Sequence, residues 1–74
     1  MSVMKQRYPI GTKYLTGGKN PNLCTVTDFM TVTNSKGEVV RTYYQSAHEF
    51  AGQTVTDPEV PHATVARGVE RYRR

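Results

Sequence analysis

The chain has 74 residues, of which 36% are hydrophobic and none is Trp, and it carries a formal net charge of +4. A chain of this length holds one domain and removes only about 60% of its unfolded surface from water. That is too little material to wall a deep enclosed pocket of roughly 300 Å3, which argues against an enzyme. The longest apolar runs are two or three residues, far from the ~20 that a membrane-spanning helix needs.

Residues 1–9 have no periodicity and close on Tyr8-Pro9, so they read as a flexible arm ahead of a single β domain over 10–69. Ile10 to Leu15 is a short strand candidate, rich in β-branched and aromatic residues. The stretch TGGKNPN then interrupts it as a loop with Lys19 at its tip. Leu23 to Asn34 is the strongest strand, dominated by Thr and Val with no Gly or Pro. It stops at Asn34-Ser35-Lys36-Gly37, where Asn suits the first position of a type I turn and Gly37 suits the left-handed position of a three-residue hairpin loop.

A regular hairpin around that loop pairs Val32 with Val40, Met30 with Thr42 and Asp28 with Tyr44. Cys24, Val26, Met30, Val32 and Val40 make that side the more apolar, so it is the expected core. The other side carries Val39, Arg41, Tyr43, Phe29 and Gln45 and presents Phe29 and Tyr43 as a directly opposed pair beside Arg41. Exposed aromatics with an arginine are the composition of a protein-binding hot spot. The competing expectation is that another strand or the N-terminal arm covers them.

Beyond Tyr44, QSAHEFAGQTVTD reads as one further strand with a bulge or bend at Gly52. Asp57-Pro58 and Val60-Pro61 end it. Val65, Val69 and Tyr72 have helical spacing, but Gly68 weakens a helix, and a closing strand or single turn also fits. Residues 70–74 read as a basic tail. The predicted fold class is mainly β, a small curled antiparallel sheet or SH3-like barrel with a short C-terminal helical turn.

The chemistry-bearing residues form no recognised constellation. Gly17-Gly18-Lys19 lacks the P-loop pattern, because Lys13 stands where the first glycine belongs and Asn20 where a Ser or Thr belongs. Cys24, His48 and His62 match no zinc spacing, so no metal or cofactor is assigned. Asp28 beside Tyr44 reads as a satisfied hydrogen-bonded pair rather than a catalytic one. The single Cys24 cannot form an internal disulfide, and no signal-peptide pattern opens the chain, so the expected compartment is a reducing cytoplasm.

Charge is unevenly spread. Lys5, Arg7, Lys13 and Lys19 precede the first acidic residue, and Arg67, Arg71, Arg73 and Arg74 crowd the end. Lys13, Lys19 and the four terminal arginines form the expected electrostatic rim of a binding surface. A small basic nucleic-acid-binding module, with the arginines on phosphate and Tyr72 stacking, is the alternative. A phage assembly component is a third reading.

Five short motifs carry a resemblance: Gly11 to Lys13, Cys24 to Val26, Thr33 to Glu38 (with a Thr rather than a Tyr before Asn34), His48 to Gln53, and Thr64 to Gly68. Together they span most of the chain, which resembles small bacteriophage proteins that include the transcription regulators of Xanthomonas phages. A monomer is expected, and the resemblance implies a non-enzymatic protein acting in the cytoplasm of the bacterial host. It implies binding to the host RNA polymerase at the β′ N-terminal region and the β flap, close to the nucleic acid of the transcription complex. The implied consequences are displacement of the sigma factor, inhibition of initiation, and antitermination. The motifs are turns and strand ends, so they assign no contact residue. The partner-binding candidates Phe29, Tyr43, Arg41 and Val39 rest on the surface argument alone.

Overall fold

A computed structural model describes residues 7–73. The order of elements is β1 (Lys13–Leu15), β2 (Leu23–Thr33), β3 (Val39–Phe50), β4 (Gln53–Pro61) and α1 (His62–Arg73). The four strands form one antiparallel sheet in the order β1-β2-β3-β4. The first and last strands do not pair, so the expected mainly β fold is an unclosed sheet rather than a barrel.

The β2–β3 corner forms as its residues predict. Gly37 adopts φ +81°, its amide donates to the Asn34 carbonyl at 3.0 Å, and the Asn34 amide donates to the Glu38 carbonyl at 3.0 Å. The Asn34 side-chain oxygen also accepts from the amides of Lys36 and Glu38, at 2.9 and 3.1 Å. The first pair after this loop, Thr33 with Val39, keeps the expected register.

Beyond it the register differs from expectation in two places. Val40 is an extra residue on β3, so Val32 faces Arg41 rather than Val40, and Met30 faces Tyr43 rather than Thr42. Thr27 is an extra residue on β2, and the pairs Val26 with Ser46 and Thr25 with Ala47 return to the original phase. Each bulge opposes two residues to one and breaks the alternation of its own strand. Between them Phe29, not Met30, lies on the core side, facing Tyr44. Met30, Val32 and Val40 are exposed, contrary to their expected burial.

Residues 45–57 are two strands rather than one. Ala51 and Gly52, both at positive φ, 53° and 79°, make a two-residue turn with Phe50 facing Gln53, the geometry of a type I′ hairpin. Pro58 does not end β4, which runs to Pro61. The ladder skips a residue between the pairs Ser46 with Asp57 and Tyr44 with Val60, and an edge strand tolerates the missing amide of a proline there.

The C-terminal segment is a 12-residue helix, longer than a single turn. Glu70 to Arg73, expected as a tail, are its last turn, while Arg74 lies outside the described residues. Val65 and Val69 point into the core with Tyr14, Cys24, Val26, Tyr44 and Val60. Gly68 lets the helix approach β1 at backbone distance, since a Cβ there would sit 2.7 Å from the Leu15 carbonyl oxygen. Residues 1–6 of the expected arm lie outside the described residues. Within that arm Tyr8 is held: its amide donates to the Tyr44 hydroxyl at 3.0 Å.

The molecule is elongated, with extents of 44 × 25 × 19 Å. Strands β2 and β3, of 11 and 12 residues, reach about 37–41 Å at ~3.4 Å per residue. The hairpin therefore sets the long axis.

Candidate functional site

Strand β3 is regular from Arg41 onward and fixes the faces of the sheet. Thr42, Tyr44 and Ser46 are buried on the helix side, so Arg41, Tyr43 and Gln45 point to the open side, as expected. Arg41 Nη1 lies 3.4 Å from the Tyr43 hydroxyl, and their cross-strand neighbours are Val32 and Met30, which are 42% and 50% exposed. The open face near the hairpin tip thus carries an arginine, a half-buried tyrosine and two accessible aliphatic side chains. Val39 is half-buried beside the loop, opposite Thr33.

Phe29 does not join this patch. The Thr27 bulge turns it to the helix side, where it packs against the core and the Arg7 guanidinium lies 4.1 Å above its ring. The directly opposed Phe29–Tyr43 pair is therefore absent, and Met30 takes its place. Asp28 likewise faces Gln45 rather than Tyr44; it is exposed, and its Oδ1 accepts from the Phe29 amide at 2.8 Å.

Strand β4 stops opposite Tyr43, which leaves the edge of β3 from Val39 to Thr42 without a neighbouring strand among the described residues. A shallow groove of about 410 Å3 lies there, lined by Val40, Arg41, Thr42, Tyr43, Pro61 and His62. The Thr42 hydroxyl is buried with no hydrogen-bond partner among the described residues, a situation that costs about 1–3 kcal/mol. Sequence reasoning missed this edge, because it depends on where β4 ends relative to β3.

The basic residues do not ring the patch. Lys13 shares the open face through the ladder Lys13–Thr25–Ala47, with its Nζ donating to Thr25 Oγ1 at 3.1 Å. Lys19 sits in the loop after β1. Arg67, Arg71 and Arg73 are on α1, which covers the other face. Arg71 donates to the Leu15 carbonyl at 3.2 Å, and Arg73 lies 3.9 Å from Glu70. The expected rim is thus distributed over both faces.

Beneath the helix side lies a polar group of a different kind. The Tyr14 and Ser46 hydroxyls share a buried hydrogen bond of 2.7 Å. Burial pushes the Tyr14 pKa up to about 12, against the opposing pull of that bond. Burial also raises the Tyr44 hydroxyl, offset in part by the Tyr8 amide. Both groups fold protonated, so the stability they contribute is complete below pH ~10, where the unfolded phenols still hold their protons. For Tyr14 it is lost as pH rises from about 10 toward 12. Circular dichroism across that window is expected to show alkaline unfolding, with a shallower slope for Tyr14→Phe; equal slopes would contradict the assignment.

Cys24, His48 and Asp57 adjoin this group and bring one potential ligand atom each within 4.8 Å of the others. The other histidine considered from sequence, His62, is elsewhere: its Nδ1 bonds the Tyr44 hydroxyl at 2.9 Å, and its ring stacks on Tyr8. Asp57 carried no sequence signal, since only the β4 ladder brings it beside strands that lie far away in the chain. No helix among the described residues is long and apolar enough to cross a membrane. No family model, no curated protein and no solved structure matches the chain.

Proposed function

We propose that this chain is a small bacteriophage transcription regulator that binds the RNA polymerase of its bacterial host. The resemblance in the five motifs supplies the partner, contacted at the β′ N-terminal region and the β flap. The resemblance also supplies the outcome: inhibited sigma-dependent initiation and antitermination. The single structural observation in favour is the open-face patch of Arg41, Tyr43, Met30 and Val32, which continues around the uncovered β3 edge into the groove at Pro61. Such a surface offers what a binding hot spot needs, an aromatic and an arginine set among accessible apolar side chains. An uncovered strand edge adds backbone groups that an extended partner segment can pair with.

The test is retention of purified polymerase on the tagged protein in the absence of DNA. Tyr43→Ala is expected to weaken retention by about 30-fold, the effect of losing a hot-spot residue of ~2 kcal/mol, and Arg41→Ala by a similar factor. Both residues leave the core intact, so the variants keep the wild-type circular dichroism. Lack of polymerase retention by the wild type would remove the proposal. The second reading, a nucleic-acid-binding module, is favoured by the three arginines on α1. Its mark is binding to naked DNA or RNA that weakens steeply as salt rises.

A further inference from the structure

We propose that Cys24, His48 and Asp57 form a binding site for a zinc-type divalent metal ion that clamps strands β2, β3 and β4 together. The register builds the site. Thr25 faces Ala47, so Cys24 continues that ladder toward His48, on the same face of the sheet. Asp57 faces Ser46, two residues before His48 on that face, and reaches the imidazole from the opposite flank. The three side chains thus converge from three adjacent strands, although they are scattered along the chain.

The Cys24 sulfur is engaged by the Tyr14 hydroxyl and must give up that contact to bind an ion. His48 Nδ1, by contrast, is buried and makes no hydrogen bond to any described residue. Asp57 Oδ2 is 3.4 Å away, close enough for charge contact but out of line for a bond. The Cys24 thiol is wholly buried, and its contact to the Asn22 carbonyl is long, at 3.8 Å.

Tetrahedral zinc with bonds of roughly 2.0–2.3 Å places neighbouring ligand atoms about 3.4–3.6 Å apart. The His48–Asp57 separation already has that value. The remaining atoms, within 4.8 Å, need only side-chain rotation to close on an ion. A soft sulfur and an imidazole select zinc-type ions over magnesium or calcium. The His48 side chain is 12% exposed and that of Asp57 45%, so an ion and a solvent molecule for the fourth position reach the site past Asp57. The inference is independent of the proposed polymerase binding and does not require it.

The experiment uses the full chain stripped with a chelator, then titrated separately with zinc, cobalt and magnesium salts. Cobalt is expected to bind one equivalent and to show the intense sulfur-to-metal charge-transfer absorption that reports a bound thiolate. Zinc is expected to raise the melting temperature, and magnesium to leave it unmoved. Asp57→Asn removes a partly exposed ligand isosterically and is expected to weaken zinc binding by at least about 100-fold, since even groups one shell further out are worth about 10–100-fold. Cys24→Ser is expected to abolish the absorption. A wild-type cobalt spectrum without that absorption overturns the site, as does zinc affinity unchanged in Asp57→Asn. Should Cys24→Ser fail to fold, those two measurements still decide.

Discussion

Gly68→Ala is expected to lower the melting temperature by several degrees, up to on the order of 10 °C, even though alanine is the better helix former. Propensity alone favours the substitution by about 1 kcal/mol at a helix-interior position. The new Cβ, however, would lie 2.5 Å from Tyr14 Cδ2, 2.8 Å from Tyr14 Cβ and 2.7 Å from the Leu15 carbonyl oxygen. None of these neighbours is free to give way. The Tyr14 ring is 2% exposed and tethered to Ser46, and the Leu15 oxygen belongs to the backbone of β1. The helix must move off the sheet, and overpacking of this kind costs about 1–3 kcal/mol, occasionally more. The clash therefore outweighs propensity, and in a domain this small each kcal/mol moves the midpoint by about 4–8 °C. Gly17 provides the contrast, since its nearest neighbour is the flexible end of Arg71, 3.2 Å away. Thermal melts followed by circular dichroism decide the matter: an unchanged or raised midpoint for Gly68→Ala would mean that α1 does not sit on β1 at this distance.

The second large effect is expected at Tyr44. Its ring is fully buried at the centre of the sheet, and its hydroxyl accepts from the Tyr8 amide at 3.0 Å and bonds His62 Nδ1 at 2.9 Å. One side chain thus joins the segment before β1, the middle of β3 and the first residue of α1. Removing a buried aromatic ring costs about 3–5 kcal/mol, much of the total stability of a domain this small. Tyr44→Ala is accordingly expected to be largely unfolded at 25 °C. Tyr44→Phe keeps the ring and deletes the hydroxyl, at a cost of about 1–3 kcal/mol for the partners left behind. It should fold with a lower midpoint and with faster hydrogen exchange at the Tyr8 amide. Wild-type exchange at that amide in Tyr44→Phe would show that the hydroxyl does not hold the segment.

The sequence is legible where local chemistry dictates geometry. Asn34 and Gly37 announce the β2–β3 corner because their residue types match the turn's hydrogen bonds and its positive φ. Arg41 and Tyr43 are correctly assigned to the open face because β3 alternates without interruption from there on. The two bulges escape notice because Thr27 and Val40 are ordinary strand residues, and nothing in their side chains marks an extra position. Between them the parity of β2 is reversed relative to β3, which is why Phe29 and Met30 exchange places. Ala51-Gly52 hides a hairpin because alanine rarely adopts positive φ, and Gly68 reads as a helix breaker when it is a contact point. The Cys24–His48–Asp57 convergence and the uncovered β3 edge are products of strand order and strand length, which no local pattern encodes.

The protruding hairpin has a consequence for reach. A compact chain of 74 residues has a radius of gyration of about 11 Å, whereas this one has 13.3 Å. Span is gained at low mass, a shape that, on the proposed polymerase-binding reading, suits contact with two separated points of one large assembly. The second contact then forms at the high effective concentration of a tethered encounter. Across the described residues, the longest span available to such contacts is the 44 Å long axis.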